Sequence, residues 1–326
     1  MKVENNLDTD KVRGLVWRLA FPSMLAQFVN VMYSIVDRMY IGNIPEIGAL
    51  ALAGVGICGP VVTLISSFAS WIGVGGAPLM SIRLGQKNER AAAQMVANCF
   101  ALLTGMALII MTVSYLFKDQ LLVFFGAGPA IFPYANQYMS WYLTGTAFAL
   151  ISAGMNQFII CQGFATVGMK SVVLGAVSNI VLDPMLIFGI GFFPEMGVAG
   201  AAAATVASQA VVTAVMLWHV RKDTILFNRI QFWKKTPLPY FIIMVKIGFP
   251  AAVQETIYCG ISMILTRFVT GWGDTAVAVQ RVGGQIESLS WMAAEGFGMA
   301  INAFVGQNYG ARQFGRMRKG YLLQPG

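Results

Sequence analysis

Eight long apolar stretches constrain the fold of this chain more than any other feature of its sequence. They lie at residues 15–43, 50–81, 92–117, 133–160, 169–191, 197–219, 240–271 and 275–306. A transmembrane helix needs about 20 mostly apolar residues, and backbone groups in lipid must be hydrogen-bonded within their own segment. Each stretch is therefore predicted to be one helix, and the fold class to be an all-α polytopic membrane protein with about eight transmembrane helices.

The composition excludes the main soluble classes. Hydrophobic residues make up 57% of the chain and charged residues only 11%, whereas soluble domains average about 25% charged residues. A soluble enzyme, a disordered chain and a nucleic-acid-binding domain are therefore excluded. The formal net charge of +8 does not require an acidic partner, because basic residues of membrane proteins mark cytoplasmic loops.

Lysine and arginine residues are concentrated in alternate loops. About 18 of the 22 basic residues lie in or close to the segments before the first stretch, after the second, fourth and sixth stretches, and after the eighth. The positive-inside rule then places both chain termini in the cytoplasm. We expect a multi-pass protein of the cytoplasmic (inner) membrane, with the lipid bilayer as its surroundings.

Two pairs of short motifs indicate an internal repeat. Phe21-Pro22 in the first stretch matches Phe249-Pro250 in the seventh, and Leu84-Gly85-Gln86 matches Val305-Gly306-Gln307. Six spans followed by a restart are typical of transporters with two repeat-related lobes. The repeat therefore predicts a transporter.

The repeat divides the chain into three parts. We predict an N-lobe with six transmembrane helices at 1–218, a basic cytoplasmic linker at 219–239 and a partial C-lobe with two helices at 240–326. A second lobe should also have six spans, so we expect a chain that is truncated at its C-terminus. A shorter transporter completed by self-association is the alternative.

Residues that support catalysis or bind metals do not form recognisable motifs. The four cysteines, Cys58, Cys99, Cys161 and Cys259, lack the spacing of zinc or redox motifs, and His219 is the single histidine. No phosphate-binding P-loop is present. The sequence predicts no enzyme, no metal site, no cofactor and no use of ATP.

Carboxylates inside the first six stretches are the first functional candidates. Inserting an ionisable residue into a membrane-spanning helix costs about 2.5–3.5 kcal/mol of free energy, so such residues are usually functional. Asn179 and Asp183 are four residues apart and share one helix face. A carboxylate beside an amide in a low-dielectric cavity can hold a small cation or a proton. Structural alternatives are an Asp37–Arg38 pair and an Asn–Asp hydrogen bond that braces a kink at Pro184.

Three further glutamates lie in the last two stretches. Glu287 and Glu295 are eight residues apart on one face of the eighth stretch, and Glu255 follows the proline of the seventh. They are candidates for a second-lobe site. The alternative is that they pair with Arg267 and Arg281, which allows charges to sit inside a helix bundle.

Aromatic and methionine residues are plentiful in the apolar stretches. Examples are Tyr33, Phe148, Met155, Phe158 and Trp291. Each one is expected to be a packing residue when taken alone. Together they favour a methionine- and aromatic-rich cavity that suits amphipathic ligands of varied shape.

Six motifs occur in an order that resembles the multidrug and toxic compound extrusion (MATE) family of cation-coupled exporters, especially its bacterial branch. They are Phe21-Pro22 with Asp37 beyond it, and the segments at 84–86, 156–163, 179–184, 200–205 and 305–310. The resemblance covers nearly the whole chain. It implies a coupling-cation site (H⁺ or Na⁺) formed by Asp37, Asn179, Asp183 and Thr205, and a substrate cavity that includes Tyr33, Tyr138 and Asn156.

The chain departs from the family pattern at two positions. Cys161 stands where related proteins often have an arginine, and Glu255 lies about two residues closer to the preceding proline than the glutamate that one branch uses. Two residues turn a helix by about 200°, so the coupling role of Glu255 is left open.

The resemblance implies an antiporter that exports small cationic or amphipathic drugs and toxic compounds by alternating access, driven by H⁺ or Na⁺. It implies no nucleic acid and no obligate protein partner. A flippase for lipids or lipid-linked oligosaccharides, from the same superfamily, is the nearest alternative and is expected to line its cavity with basic residues. An inactive truncated fragment is the other alternative.

Overall fold

A computed structural model describes residues 7, 10–222, 238–270, 272 and 274–322. These residues form eleven α-helices and contain no β-strand. The helices are α1 (Val12–Gly42), α2 (Gly48–Gly85), α3 (Glu89–Leu116), α4 (Lys118–Phe124), α5 (Phe132–Thr144), α6 (Thr146–Cys161), α7 (Ala165–Ile187), α8 (Val198–Lys222), α9 (Leu238–Thr270), α10 (Asp274–Gly310) and α11 (Phe314–Tyr321).

Six helices in the described part of the chain are long and apolar enough to cross a membrane: α1, α2, α3, α7, α8 and α9. The pair α5 and α6 adds a seventh span if the two are counted together. The prediction of an all-helical, multi-pass membrane protein is confirmed. The predicted eighth span corresponds to α10, which lies outside this set, so its passage through the membrane stays a prediction.

The stretch at 133–160 is where the predicted single helix is wrong. The chain breaks at Gly145, and α5 and α6 are bent by 58° relative to each other. A Cβ atom on Gly145 would lie only 2.6 Å from Cγ1 of Val206 in α8. The bend therefore occurs where the chain passes directly over a side chain of another helix.

The end of α8 and the start of α9 fall within the predicted linker. α8 continues to Lys222 and α9 begins at Leu238, so both helices extend into the range 219–239. Residues 223–237, which hold most of the predicted linker, lie outside the described residues.

Helix α2 occupies the centre of the packing. It contacts α3, α5 and α6 on one side and both α9 and α10 on the other. Glycines make the second set of contacts close: an added Cβ on Gly248 of α9 would overlap the Trp71 carbonyl oxygen, and one on Gly310 of α10 would overlap that of Ile82. The Trp71 indole Nε1–H also donates a 3.2 Å hydrogen bond to the Val245 carbonyl oxygen.

The helices that carry the repeated motifs pack against each other across the two halves of the chain. α1 packs against α10, and α2 packs against α9. The motif segments are directly involved, since Gly85 of α2 meets the Gln307 backbone and Gly306 of α10 meets Ser81. This packing brings the polar residues of α1 close to both α7 and α10.

Candidate functional site

Polar side chains form a stripe along α1. Gln27, Asn30, Tyr33 and Asp37 follow one another at intervals of three or four residues, which places them on one face of the helix. α1 packs against α7 and α10. The stripe therefore faces polar residues of both helices.

On α7, Asn179 and Asp183 form a buried network with Thr205 of α8. The Asn179 Nδ2 group donates to Asp183 Oδ1 over 3.3 Å and to Thr205 Oγ1 over 3.4 Å. The Thr205 hydroxyl donates to the Ala201 carbonyl oxygen over 3.0 Å, so its oxygen is left to accept from Asn179. This fixes the orientation of the Asn179 amide. Asn179 is 1% exposed and Asp183 is fully buried.

Asp37 completes this cluster from α1. Its carboxyl group lies within hydrogen-bonding reach of the Asp183 carboxyl group, and Tyr33 and Tyr138 are close neighbours. Arg38 is exposed and acts on Asp37 electrostatically. The structure therefore brings together Asp37, Asn179, Asp183 and Thr205, the four residues of the predicted coupling site, which we name the carboxylate cluster.

Three oxygen atoms of the carboxylate cluster are buried without a hydrogen-bond donor among the described residues. They are Oδ1 of Asp37, Oδ1 of Asn179 and Oδ2 of Asp183. Buried polar atoms are normally hydrogen-bonded, so such exceptions need an explanation. Carboxylate and amide oxygens are ligands for hard cations, and a carboxylate pair can share a proton. The arrangement is thus chemically suited to binding a small cation or a proton.

A cavity of about 210 Å³ adjoins the cluster, with Asn179 in its wall. Helices α1, α2, α6, α7, α8 and α10 surround it. Its lining is rich in side-chain amides, which come from Gln27, Asn30, Asn156, Gln157, Asn179 and Gln209. Three serines, Tyr33 and the carboxylate of Glu295 supply the other polar groups.

This lining corrects the expected chemistry of the cavity. Tyr33 and Asn156 lie in the wall, as the resemblance implied, but polar amides and hydroxyls outnumber methionine and aromatic side chains. Tyr138 is 7% exposed and stacks on Tyr142 with ring centroids 6.1 Å apart. Tyr138 therefore lies near Asp37 and is not among the described residues that line the cavity. Phe158 is buried in the core.

The structure separates the three glutamates of the last two stretches. Glu295 lines the cavity and lies close to the side chain of Gln27 of α1. Glu255 lies close to Ser70 of α2 and close enough to Glu295 to interact electrostatically. Glu287 is exposed and accepts a 3.0 Å hydrogen bond from the Trp291 indole. Glu255 and Glu295 therefore lie together, while Glu287 lies apart from them.

The proposed pairing of these glutamates with arginines is not described by the structure. The Arg281 side chain lies outside the described residues. Glu255 and Glu295 lie close to the polar side chains of Ser70 and Gln27 on the first two helices. No group of three or more His, Cys, Asp or Glu side chains suited to a metal ion occurs in the described ranges.

Sequence reasoning missed most of the cavity wall. Gln27, Ser152 and Gln209 were not candidates, although Ser152 donates a 2.8 Å hydrogen bond to Gln209 across α6 and α8. The spacing of Gln27, Asn30 and Asp37 along α1 was an available signal. Amides inside an apolar helix are expensive in lipid and therefore tend to face the bundle interior.

These features together define a class of protein. Long apolar helices, a repeat and a polar cavity next to carboxylates inside the helix bundle are the attributes of a membrane transporter. The MatE family profile matches residues 22–185 and 250–323. The chain therefore belongs to the MatE, or multidrug and toxic compound extrusion (MATE), family. It is a transporter and not an enzyme.

Three similar proteins illustrate the relationship. The chain is 24% identical to the probable multidrug resistance protein YoeA of Bacillus subtilis (strain 168), with 95% of this chain and 68% of the relative covered. It is 25% identical to an FAD transporter of Shewanella oneidensis, over 99% of this chain and 71% of that protein. A solved structure of a multidrug resistance MATE family transporter in an outward-facing conformation matches with a TM-score of 0.87 and 25% identity, over 99% of this chain and 70% of the other.

Proposed function

We propose that this protein exports small cationic or amphipathic compounds across the cytoplasmic membrane by alternating access, in exchange for H⁺ or Na⁺. Membership of the MATE family and the relative described as a multidrug resistance protein support drug export. The observation that carries the proposal is the carboxylate cluster, because it shares Asn179 with the wall of the cavity.

The cluster offers a physical route from cation binding to movement. Like charges on Asp37 and Asp183 repel each other strongly in a low-dielectric interior. A cation or proton between them removes the repulsion and draws α1 toward α7. Because α1 also supplies Gln27, Asn30 and Tyr33 to the cavity, this movement changes the cavity wall and weakens substrate binding.

We infer that α10 forms an eighth span and that the chain is organised in two lobes, 1–218 and 240–326, with both termini in the cytoplasm. Helix α1 of the first lobe packs on α10 of the second, and α2 packs on α9. These contacts support the division, because repeat-related units produce such paired contacts. The charge asymmetry of the loops supports the orientation.

Efflux of a small radiolabelled organic ammonium ion from cells that express the protein tests the coupling site. We expect Asp37→Asn and Asp183→Asn each to reduce efflux at least tenfold without reducing the amount of protein in the membrane. Asp119→Asn is the matched control, since this carboxylate is 63% exposed on the short helix α4, and it should retain efflux. Normal efflux from both cluster variants would exclude the site, and imposing either a Na⁺ or a proton gradient identifies the coupling ion.

The cavity does not favour the flippase alternative. Among the described residues that line it, none is lysine or arginine, while Glu295 contributes negative charge. A lipid pyrophosphate, or the phosphates of a flavin dinucleotide such as the Shewanella relative is named for, would meet repulsion there. The alternative of an inactive fragment predicts no efflux above that of cells without the protein.

A further inference from the structure

The size of the cavity favours a small ligand. Its volume of about 210 Å³ is below the range of about 300–1,000 Å³ that is usual for sites of drug-sized ligands. The cavity is therefore suited to a ligand smaller than most amphipathic drugs.

The charge of the cavity wall favours a single positive charge on this ligand. Glu295 is accessible from the cavity, and the described lining residues include no lysine or arginine. Asn30 donates a 3.1 Å hydrogen bond to Gln27 Oε1, and the Gln27 amide lies close enough to Glu295 to interact with its carboxylate. Glu255, which lies close to Ser70, adds negative potential nearby.

Asn179 provides a second recognition group, which is of a different kind. Its Nδ2 group is used by Asp183 and Thr205, so its Oδ1 atom is fixed as an acceptor. This oxygen is buried and has no donor among the described residues, and the residue lies in the cavity wall. A buried acceptor without a donor is unfavourable, and a ligand N–H group would satisfy it.

These groups distinguish between two kinds of organic cation. Quaternary ammonium ions have no N–H groups, and proteins recognise them with cages of aromatic rings. Tyr33 is the one aromatic side chain in the described lining. Amide oxygens are abundant there, and one carboxylate is present. The wall is therefore built to accept hydrogen bonds from a cation.

We propose that the cavity binds a small cation that donates N–H hydrogen bonds, a primary or secondary ammonium or a guanidinium, with Glu295 as its counter-charge and Asn179 Oδ1 as a hydrogen-bond acceptor. The proposal rests on the proposed function and narrows its substrate class. It separates this protein from an exporter of quaternary or bulky aromatic dyes.

Calorimetric binding to the purified full chain tests the proposal with three probes that share a ring and a charge. Benzylammonium and N-tert-butylbenzylammonium keep N–H groups, whereas benzyltrimethylammonium has none. A charge-assisted hydrogen bond corresponds to about tenfold or more in affinity, so both N–H probes should bind at least tenfold more tightly than the quaternary one. The tert-butyl probe controls for bulk.

Three results would overturn the proposal in the unmodified protein: equal or tighter binding of benzyltrimethylammonium, no binding of benzylammonium, or a tert-butyl probe that binds as weakly as the quaternary one. These outcomes leave proton- or Na⁺-driven efflux to be judged separately with the Asp37 and Asp183 variants. Normal efflux from both of these variants, together with an intact N–H preference, would refute the proposed function alone.

Variants of α10 assign the preference to a residue. Glu295→Gln should weaken benzylammonium binding at least tenfold and leave the elution of the protein in size-exclusion chromatography unchanged. Glu287→Gln is the control on the same helix, because Glu287 is exposed, bonded to Trp291 and outside the described cavity lining. Unchanged benzylammonium binding in the Glu295 variant would overturn the assignment.

Discussion

Replacing Gly248 with alanine is expected to force α2 and α9 apart at their closest contact. A Cβ atom at this position would overlap the carbonyl oxygen of Trp71 and lie 2.8 Å from Cδ1 of its indole ring. Since Cβ atoms rarely approach other atoms closer than 3.4 Å, the indole contact alone requires a shift of at least 0.6 Å. The overlapping atom belongs to the backbone, so the two helices must separate.

The size of the effect follows from two losses. Overpacking in a close-packed interior costs about 1–3 kcal/mol. Separation also breaks the hydrogen bond from Trp71 Nε1 to the Val245 carbonyl oxygen, which is 3.2 Å long and contributes about 0.5–1.5 kcal/mol. Because glycine to alanine in a helix offsets up to about 1 kcal/mol of these losses, Gly248→Ala should lower the free energy of unfolding by about 1–4 kcal/mol.

Unfolding in mixed detergent micelles, followed by far-ultraviolet circular dichroism, measures this difference. Gly260→Ala is the matched control, because it lies on the same helix and an added Cβ meets no atom within 4 Å. The control should be neutral or up to about 1 kcal/mol more stable, as expected for glycine to alanine in a helix. Equal unfolding free energies of the two variants would refute the reasoning.

Two further substitutions test other contacts. Gly168→Ala places a Cβ 2.6 Å from Oδ1 of Asn156; displacing this amide from the cavity wall should weaken benzylammonium binding several-fold, whereas Gly105→Ala, with no atom within 4 Å, should not. Asn308→Leu removes a 3.2 Å hydrogen bond to the carbonyl oxygen of Leu7. The Leu7 carbonyl oxygen also accepts hydrogen bonds from the Arg316 guanidinium, so the free energy of unfolding should fall by only about 0.5–1.5 kcal/mol; an unchanged free energy of unfolding would contradict the role of this contact.

The positions of the spans were predictable because lipid imposes a single rule on the backbone. Helices α1 and α3 begin three residues before the apolar stretches at 15–43 and 92–117 and end one residue before those stretches end. The break at Gly145 was not predictable, since it depends on Val206 sixty residues away. With 35 glycines in the chain, glycine alone does not mark a bend.

The carboxylate cluster was partly predictable. The four-residue spacing of Asn179 and Asp183 indicated a shared face, and the hydrogen bond between them is present. Asp37 and Thr205 entered through the resemblance to the MATE family, and only the packing of α1 and α8 on α7 places them near that pair. Pairwise spacing is a local property, while the cluster depends on three helices.

The chemistry of the cavity was less accessible from the sequence. Gln27, Asn156 and Gln209 lie on three different helices, and nothing in their spacing connects them. Helix surfaces that face lipid and those that face other helices are both apolar, so the hydrophobic pattern does not show which side of a helix borders a cavity. The abundance of aromatic residues was therefore misleading.

The polar stripe of α1 constrains how the ligand preference of such a protein can evolve. Gln27, which lies close to Glu295, and Asp37, which lies close to Asp183, are ten residues and about 15 Å apart on one helix. Pro22 precedes both of them, so no proline separates the two ends. A substitution that rotates or tilts this segment changes the orientation of the side chains at both of its ends at once. A change in ligand preference therefore also affects the carboxylate cluster, unless substitutions on α7 and α10 compensate.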